Sequence, residues 1–121
     1  MTPHLNLWIE RDGRVVLSGW RVRLLEAIAE TGSISAAAAR LGVQYRLAWD
    51  RLSEMEAGLG LPLVERRVGG AGGGGARLTP EGSDLVERFN RFAAGMDAAT
   101  VAQFNQAFDA APDLHPATTG V

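Results

Sequence analysis

Cysteine is absent from the 121 residues, and so is lysine. Without a thiol there is no disulfide framework, no thiolate metal site and no cysteine nucleophile. Without a lysine, a Walker-type phosphate loop is excluded. The two histidines, His4 and His115, stand near opposite ends with no second ligand at metal spacing, so both read as solvent-exposed side chains. No run approaches the roughly 18 consecutive apolar residues of a membrane span. The start, Met-Thr-Pro-His-Leu-Asn, lacks the basic-then-apolar order of a signal peptide. A soluble, cytoplasmic protein without membrane association is expected. The acids are scattered and form no nucleophile–base pair, so neither enzymatic activity nor a cofactor or metal is called for.

An apolar content of 46% over this length suits one compact domain. The net charge of −2 argues at first against a nucleic-acid partner, because phosphate binding is mainly electrostatic. Its distribution reverses that. Residues 40–77 carry six arginines against four acids, while residues 78–121 carry two against six. The basic charge is therefore gathered in the middle of the chain.

Leu5, Leu7 and Ile9 alternate with polar or amphipathic neighbours, and Val15-Val16-Leu17 follow an intervening Asp12-Gly13. Asp-Gly between such runs predicts a β-hairpin, because its turn needs positive φ. Ser18 is placed to cap a helix from about Trp20 to Glu30 that directs Leu24, Leu25 and Ile28 inward, with Thr31-Gly32 as its stop. Ser33 caps a short alanine-rich helix, Ile34 to Leu41, ended by Gly42. A further helix, Tyr45 to about Gly58, turns Ala48, Leu52, Met55 and Leu59 inward and leaves Tyr45, Arg46, Trp49 and Ser53 on the opposite side. A short helix packed by Ala36 to Ala39, then a tight glycine turn, then a longer helix is the helix-turn-helix arrangement. On these residues alone it could equally be one corner of a helical bundle.

The next segment narrows the choice. Leu63 to Val68, a glycine-rich tip from Gly69 to Gly75, and Ala76-Arg77-Leu78 read as strand, tip and strand. Thr79-Pro80-Glu81 then makes a well-formed helix start. The predicted class is mainly α with small β: a winged helix-turn-helix with an N-terminal β-hairpin and a long C-terminal helix. Residues 1–80 form the winged module, 81–111 the long helix and 112–121 a disordered tail. Leu85, Phe89, Phe92, Met96, Phe104 and Phe108 make a narrow apolar seam of the kind that pairs helices of two copies. Packing back on its own domain is the alternative.

Gly70, Gly72 and Gly75 also satisfy Gly-x-Gly-x-x-Gly, but that dinucleotide motif needs a helix directly after the glycines, and Ala-Arg-Leu-Thr-Pro intervenes. A wing suits the residues better. A tip without side chains, Gly73 and Gly74 among it, can approach a sugar-phosphate backbone while Arg66, Arg67 and Arg77 supply charge. A merely flexible loop is the plainer reading. N-terminal residues of a reading helix reach base edges, which makes Gln44, Tyr45 and Arg46 the candidates, Arg46 for guanine and Gln44 for adenine. Ser33 and Ser35 suit phosphate contacts. Trp49 either faces the duplex or is wedged between helix and wing, and Arg51 is expected in a surface cluster with Glu54 and Glu56.

Thr-Gly-Ser-Ile-Ser-Ala-Ala-Ala at 31–38, Leu-Gly-Val-Gln-Tyr-Arg-Leu-Ala-Trp-Asp at 41–50, Leu-Val-Glu-Arg-Arg at 63–67 and the glycine-rich segment 69–82 carry a family likeness. Over about residues 15–95 the sequence resembles the N-terminal domains of ModE-type molybdate-responsive transcriptional regulators, which share their winged-helix architecture with LysR-type regulators. The resemblance implies a bacterial homodimer that binds a two-fold-related operator in double-stranded DNA, with helix 44–58 in the major groove. Gln44 stands where the family usually has serine. The sequence also ends before the oxyanion-binding domains of such regulators, so molybdate sensing is not implied. The expectation is a standalone member that regulates constitutively, through an effector-sensing partner protein, or in answer to another signal. Two other readings remain open: a protein-interaction module, and an oxyanion-binding protein that uses the glycine loop as a nest of N–H groups.

Overall fold

The computed structural model describes residues 1–67 and 74–109. Gly73, the rest of the tip from 68, and the expected tail at 112–121 with His115 lie outside the described residues. The elements run β1 (Trp8–Arg11), β2 (Arg14–Ser18), α1 (Gly19–Thr31), α2 (Ile34–Leu41), α3 (Tyr45–Leu59), β3 (Val64–Arg67), β4 (Gly75–Leu78) and α4 (Pro80–Phe108). This is a winged helix-turn-helix, mainly helical, with two antiparallel hairpins, β1–β2 and β3–β4. No helix among the described residues is long and apolar enough to cross a membrane.

The first hairpin closes through Asp12 at φ 53° and Gly13 at φ 76°, the two positive values that a tight turn of this hand requires. It is shorter than the alternation from Leu5 suggests, because Ser18, the last residue of β2, pairs with Trp8 and leaves nothing for Leu5 to Leu7 to pair with. Ser18 instead caps α1, accepting the Arg21 N–H at 3.2 Å. Ser33 caps α2 likewise, accepting the Ala36 N–H at 2.9 Å. Left-handed glycines, Gly32 and Gly42, end both helices as expected.

The third helix runs past Gly58 to a cap at Gly60, φ 70°. Gly58 is there for space, since a Cβ on it would lie 2.7 Å from Cγ1 of Val16. Arg11 donates to the Gly58 and Leu59 carbonyls at 3.4 and 3.1 Å, so the first hairpin covers the end of α3.

Within the compact unit Leu7–Phe89, the core gathers Val22, Leu24, Leu25 and Ile28 from α1, Ala37 and Ala38 from α2, and Ala48, Leu52 and Met55 from α3. Leu63 and Phe89 join them. Of the four alanines in α2 only Ala37 and Ala38 are buried; Ala36 and Ala39 are exposed. Leu59, expected inward, is half-buried. The second hairpin is fastened to the end of α1 by the Ala76 N–H, which donates to the Gly32 carbonyl at 2.8 Å, and is closed at its base by the Thr79 N–H, which donates to Leu63 O at 2.9 Å. Thr79 also caps α4, its buried hydroxyl accepting the Gly82 N–H at 3.0 Å.

The second unit comprises Met1–Asn6 and, among the described residues, 90–109. In it the Phe104 and Phe108 rings lie 4.7 Å apart, tilted by 33°. Phe92 and Val101 are exposed.

The caps have measurable weight. Replacing Ser33 by alanine removes the acceptor for Ala36 at the start of the helix that supports α3. The loss should be about 1 kcal/mol, read as a lower urea midpoint with an unchanged slope of unfolding free energy on denaturant.

Candidate nucleic-acid interface

One face of the compact unit is built from three elements. The N-terminal turn of α2, the N-terminal turn of α3 and the β3–β4 hairpin meet around a groove lined by Ser33, Ile34, Ser35, Tyr45, Arg66, Arg67 and Gly74 to Ala76. Six of the residues singled out from the sequence thus share one surface: Ser33, Ser35, Tyr45, Arg66, Arg67 and Gly74. Arg77 joins Arg66 and Arg67 in an adjoining hollow beside Gly32. Along α3 a shallow depression is formed by Tyr45, Arg46, Trp49 and Asp50. Gln44 stands just before α3 in extended backbone, φ −71° and ψ 147°, and makes no side-chain cap. Its amide is exposed and is not spent on the helix.

The hairpin register puts Glu65 opposite Arg77 and Arg66 opposite Ala76. Glu65 and Arg77 pair at 2.8 Å with the arginine side chain 75% exposed, so the contact adds little to stability. Arg66 is held more firmly, with its guanidinium over the Trp49 ring and an ion pair to Glu56. Arg67 is exposed and pairs with no carboxylate among the described residues. Arg46, with its side chain 87% exposed, lies a long 3.5 Å from Asp50 one turn on. Tyr45 is half exposed. The face therefore presents guanidinium groups, hydroxyls and a backbone edge, a set that donates hydrogen bonds to phosphate oxygens and base edges.

Some residues match one of the alternatives read from the sequence, and others depart from it. Trp49 does bridge helix and wing, through Arg66. Ser53, expected on the open side of α3, has its hydroxyl buried without a hydrogen-bond partner. The cluster of Arg51, Glu54 and Glu56 divides: Glu54 pairs with Arg51 at 2.9 Å and with Arg21 at 3.1 Å, whereas Glu56 turns to β3. The spacing carries this outcome, since Arg51 and Glu54 are three apart and share a helix face, while Glu56 lies five on. On α4, Leu85, Met96, Phe104 and Phe108 are half-buried and Phe92 exposed; Phe89 is 5% exposed within a single chain, packed in the core.

The sequence reading did not single out Glu56, Asp50 or Arg11 for these roles. Asp50 was readable from its i,i+4 position to Arg46. Arg11 binds carbonyls far off in the chain, and Glu56 binds N–H groups beyond the end of its own helix, where no helix-spacing rule applies.

Comparison with known proteins agrees with the geometry. The model of the bacterial regulatory helix-turn-helix proteins of the LysR family matches residues 20–83. The chain is 45% identical over 93 residues to the DNA-binding transcriptional dual regulator ModE of Escherichia coli, covering 77% of this chain and 36% of that protein. It is 41% identical over 109 residues to the molybdenum-pterin-binding protein MopB of Rhodobacter capsulatus, covering 90% of this chain and 38% of that one. It thus spans little more than a third of the length of these relatives. Among solved structures it is similar to the CbnR_DBD–DNA complex, with a TM-score of 0.58 and 26% identity over 73% of this chain and 95% of that one. With the family model matched over more than half its length, from Trp20 in α1 to Ser83 in α4, the chain belongs to the LysR family of bacterial regulatory helix-turn-helix proteins.

Proposed function

We propose that the chain binds specific double-stranded DNA as a transcriptional regulator, with α3 in the major groove and the β3–β4 wing on the flanking backbone or minor groove. The observation that carries this is the shared groove, in which the starts of α2 and α3 and the wing arginines converge. The likeness to a solved domain in complex with DNA supports it. Gln44, Tyr45 and Arg46 read base edges. Ser33, Ser35, Arg67, Arg77 and the glycines Gly73 and Gly74 meet the phosphates and set the register, with Arg66 and Trp49 behind them.

Residues 1–80 form the reading module, and 81–111 pair two copies through a seam that includes Leu85, Phe92, Met96, Phe104 and Phe108. Phe89, buried in its own chain, anchors that helix. The exposed Phe92 and Val101 support the pairing. Two copies would then place their reading helices about one helical turn apart, roughly 34 Å. The relatives named for ModE and for molybdenum-pterin binding support a role in molybdenum-related gene control, with an effector-sensing partner protein.

Titration against duplex DNA at 50 and 200 mM salt tests the reading. For six or more phosphate contacts across a dimer, affinity should fall by about 10³-fold or more between the two. No duplex binding at the lower salt would instead leave a protein-docking module. A melting temperature raised by molybdate or phosphate, with no DNA binding, would favour an oxyanion-binding protein.

A further inference from the structure

Arg66 is the least free of the wing arginines. Its Cζ lies 4.6 Å from the centroid of the Trp49 ring. Its Nη2 donates to Glu56 Oε1 at 3.2 Å. Trp49 and Glu56 are seven residues apart on α3 and so stand on one face, two turns from each other. The Arg66 guanidinium therefore sits over the Trp49 ring and pairs with Glu56 at the same time.

Glu56 does more than neutralise it. Its second oxygen accepts the Leu63 and Val64 N–H groups at 2.8 and 3.2 Å, so the same carboxylate fixes the backbone where the wing begins. The Arg66 and Glu56 side chains are 33% and 18% exposed, against 75% for Arg77. A planar guanidinium can stack and pair at once, whereas an ammonium offers a point charge and no plane.

Resting on the DNA-binding reading, we propose that Arg66 is a positioning residue rather than a phosphate ligand. Held between Trp49 and Glu56, it sets the angle at which the wing leaves the reading helix, and thereby directs Arg67 toward the backbone. Trp49 acts in the same strut and contributes through Arg66, not through a base.

The test uses the whole chain and a mixed-sequence 40-base-pair duplex. Arg66→Lys keeps the charge but loses the planar fork that meets Trp49 and Glu56 together; it should bind about 3- to 10-fold more weakly. Trp49→Ala should lose a similar factor, and the double variant should be no weaker than either single one. Arg66→Gln should leave the salt slope unchanged, whereas loss of a phosphate contact lowers it by about 0.9. Binding by Arg66→Lys equal to that of the unaltered chain overturns the proposal. So does a slope lowered by Arg66→Gln, or losses that multiply in the double variant.

If the unaltered chain shows no salt-dependent binding, the DNA reading fails by itself, and the strut is judged on the free protein. Shifts in melting temperature that fail to add in the double variant then support it, and additive shifts overturn it.

Discussion

Replacing Gly82 by alanine is expected to lower the melting temperature by about 10–20 °C, although glycine is ordinarily the worse helix residue. In an open helix the change would gain about 1 kcal/mol through backbone entropy and propensity. Gly82 sits in the first turn of α4 and is buried. A Cβ there would lie 2.3 Å from the Leu63 carbonyl oxygen, and 3.2 and 3.4 Å from its carbonyl carbon and Cα.

None of those atoms can move aside cheaply. The Leu63 carbonyl accepts the Thr79 N–H, its own N–H is held by Glu56, and its side chain is fully buried. The overlap must be relieved by shifting α4 away from the wing, at a net cost of about 2–3 kcal/mol. For a unit of this size each kcal/mol corresponds to roughly 4–8 °C. Gly95→Ala is the control. Nothing lies within 4 Å of its added Cβ, and α4 runs continuously through that position. That variant should melt at the same temperature or a few degrees higher. An unshifted midpoint for Gly82→Ala would mean that the wing and α4 are not closely packed.

The contrast between these two glycines also shows what a sequence discloses. Both lie in one helix and look alike in composition. Gly13, Gly32 and Gly42 were legible because their role is local: each ends an element at positive φ, and the apolar periods on either side announce that end. Ser18, Ser33 and Thr79 were legible for the same reason, since a cap acts on an N–H three residues away.

Gly58 and Gly82 answer instead to Val16 and Leu63, residues far off in the chain, and no local rule identifies them. The candidate interface divides in the same way. Its membership followed from motif order, because helix starts and a glycine hairpin converge in this fold. Its internal pairing did not. Arg66 and Arg67, as neighbours on a strand, point to opposite faces, but only the approach of Trp49 and Glu56 shows which is held and which is open.

Arg46 is where stability and function are expected to part most clearly. The residue stands in the first turn of α3, beside the positive end of the helix dipole, and that turn contains no acid. A cation there is unfavourable by roughly 0.3–1 kcal/mol. Its partner does not redeem it, because the Asp50 contact is 3.5 Å long, exposed, and in the weaker order with the base ahead of the acid. Helix stability alone would thus not select arginine at this position, whereas a bidentate contact to the N7 and O6 of guanine would.

Arg46→Ala should therefore melt at the temperature of the unaltered chain or slightly above it, while discrimination at one base pair of each half-site falls by about 1–3 kcal/mol, or roughly 5- to 150-fold. Selection of bound sequences from a random duplex pool reads this as the loss of preference at a single position. Arg77→Gln provides the opposite signature, binding every sequence more weakly with a salt slope smaller by about 1.8, as one phosphate contact worth about 0.9 is lost from each of the two copies. An Arg46→Ala protein that keeps both affinity and preference would remove α3 from the major groove. A protein that loses its fold would return Arg46 to a structural role that its exposure does not suggest.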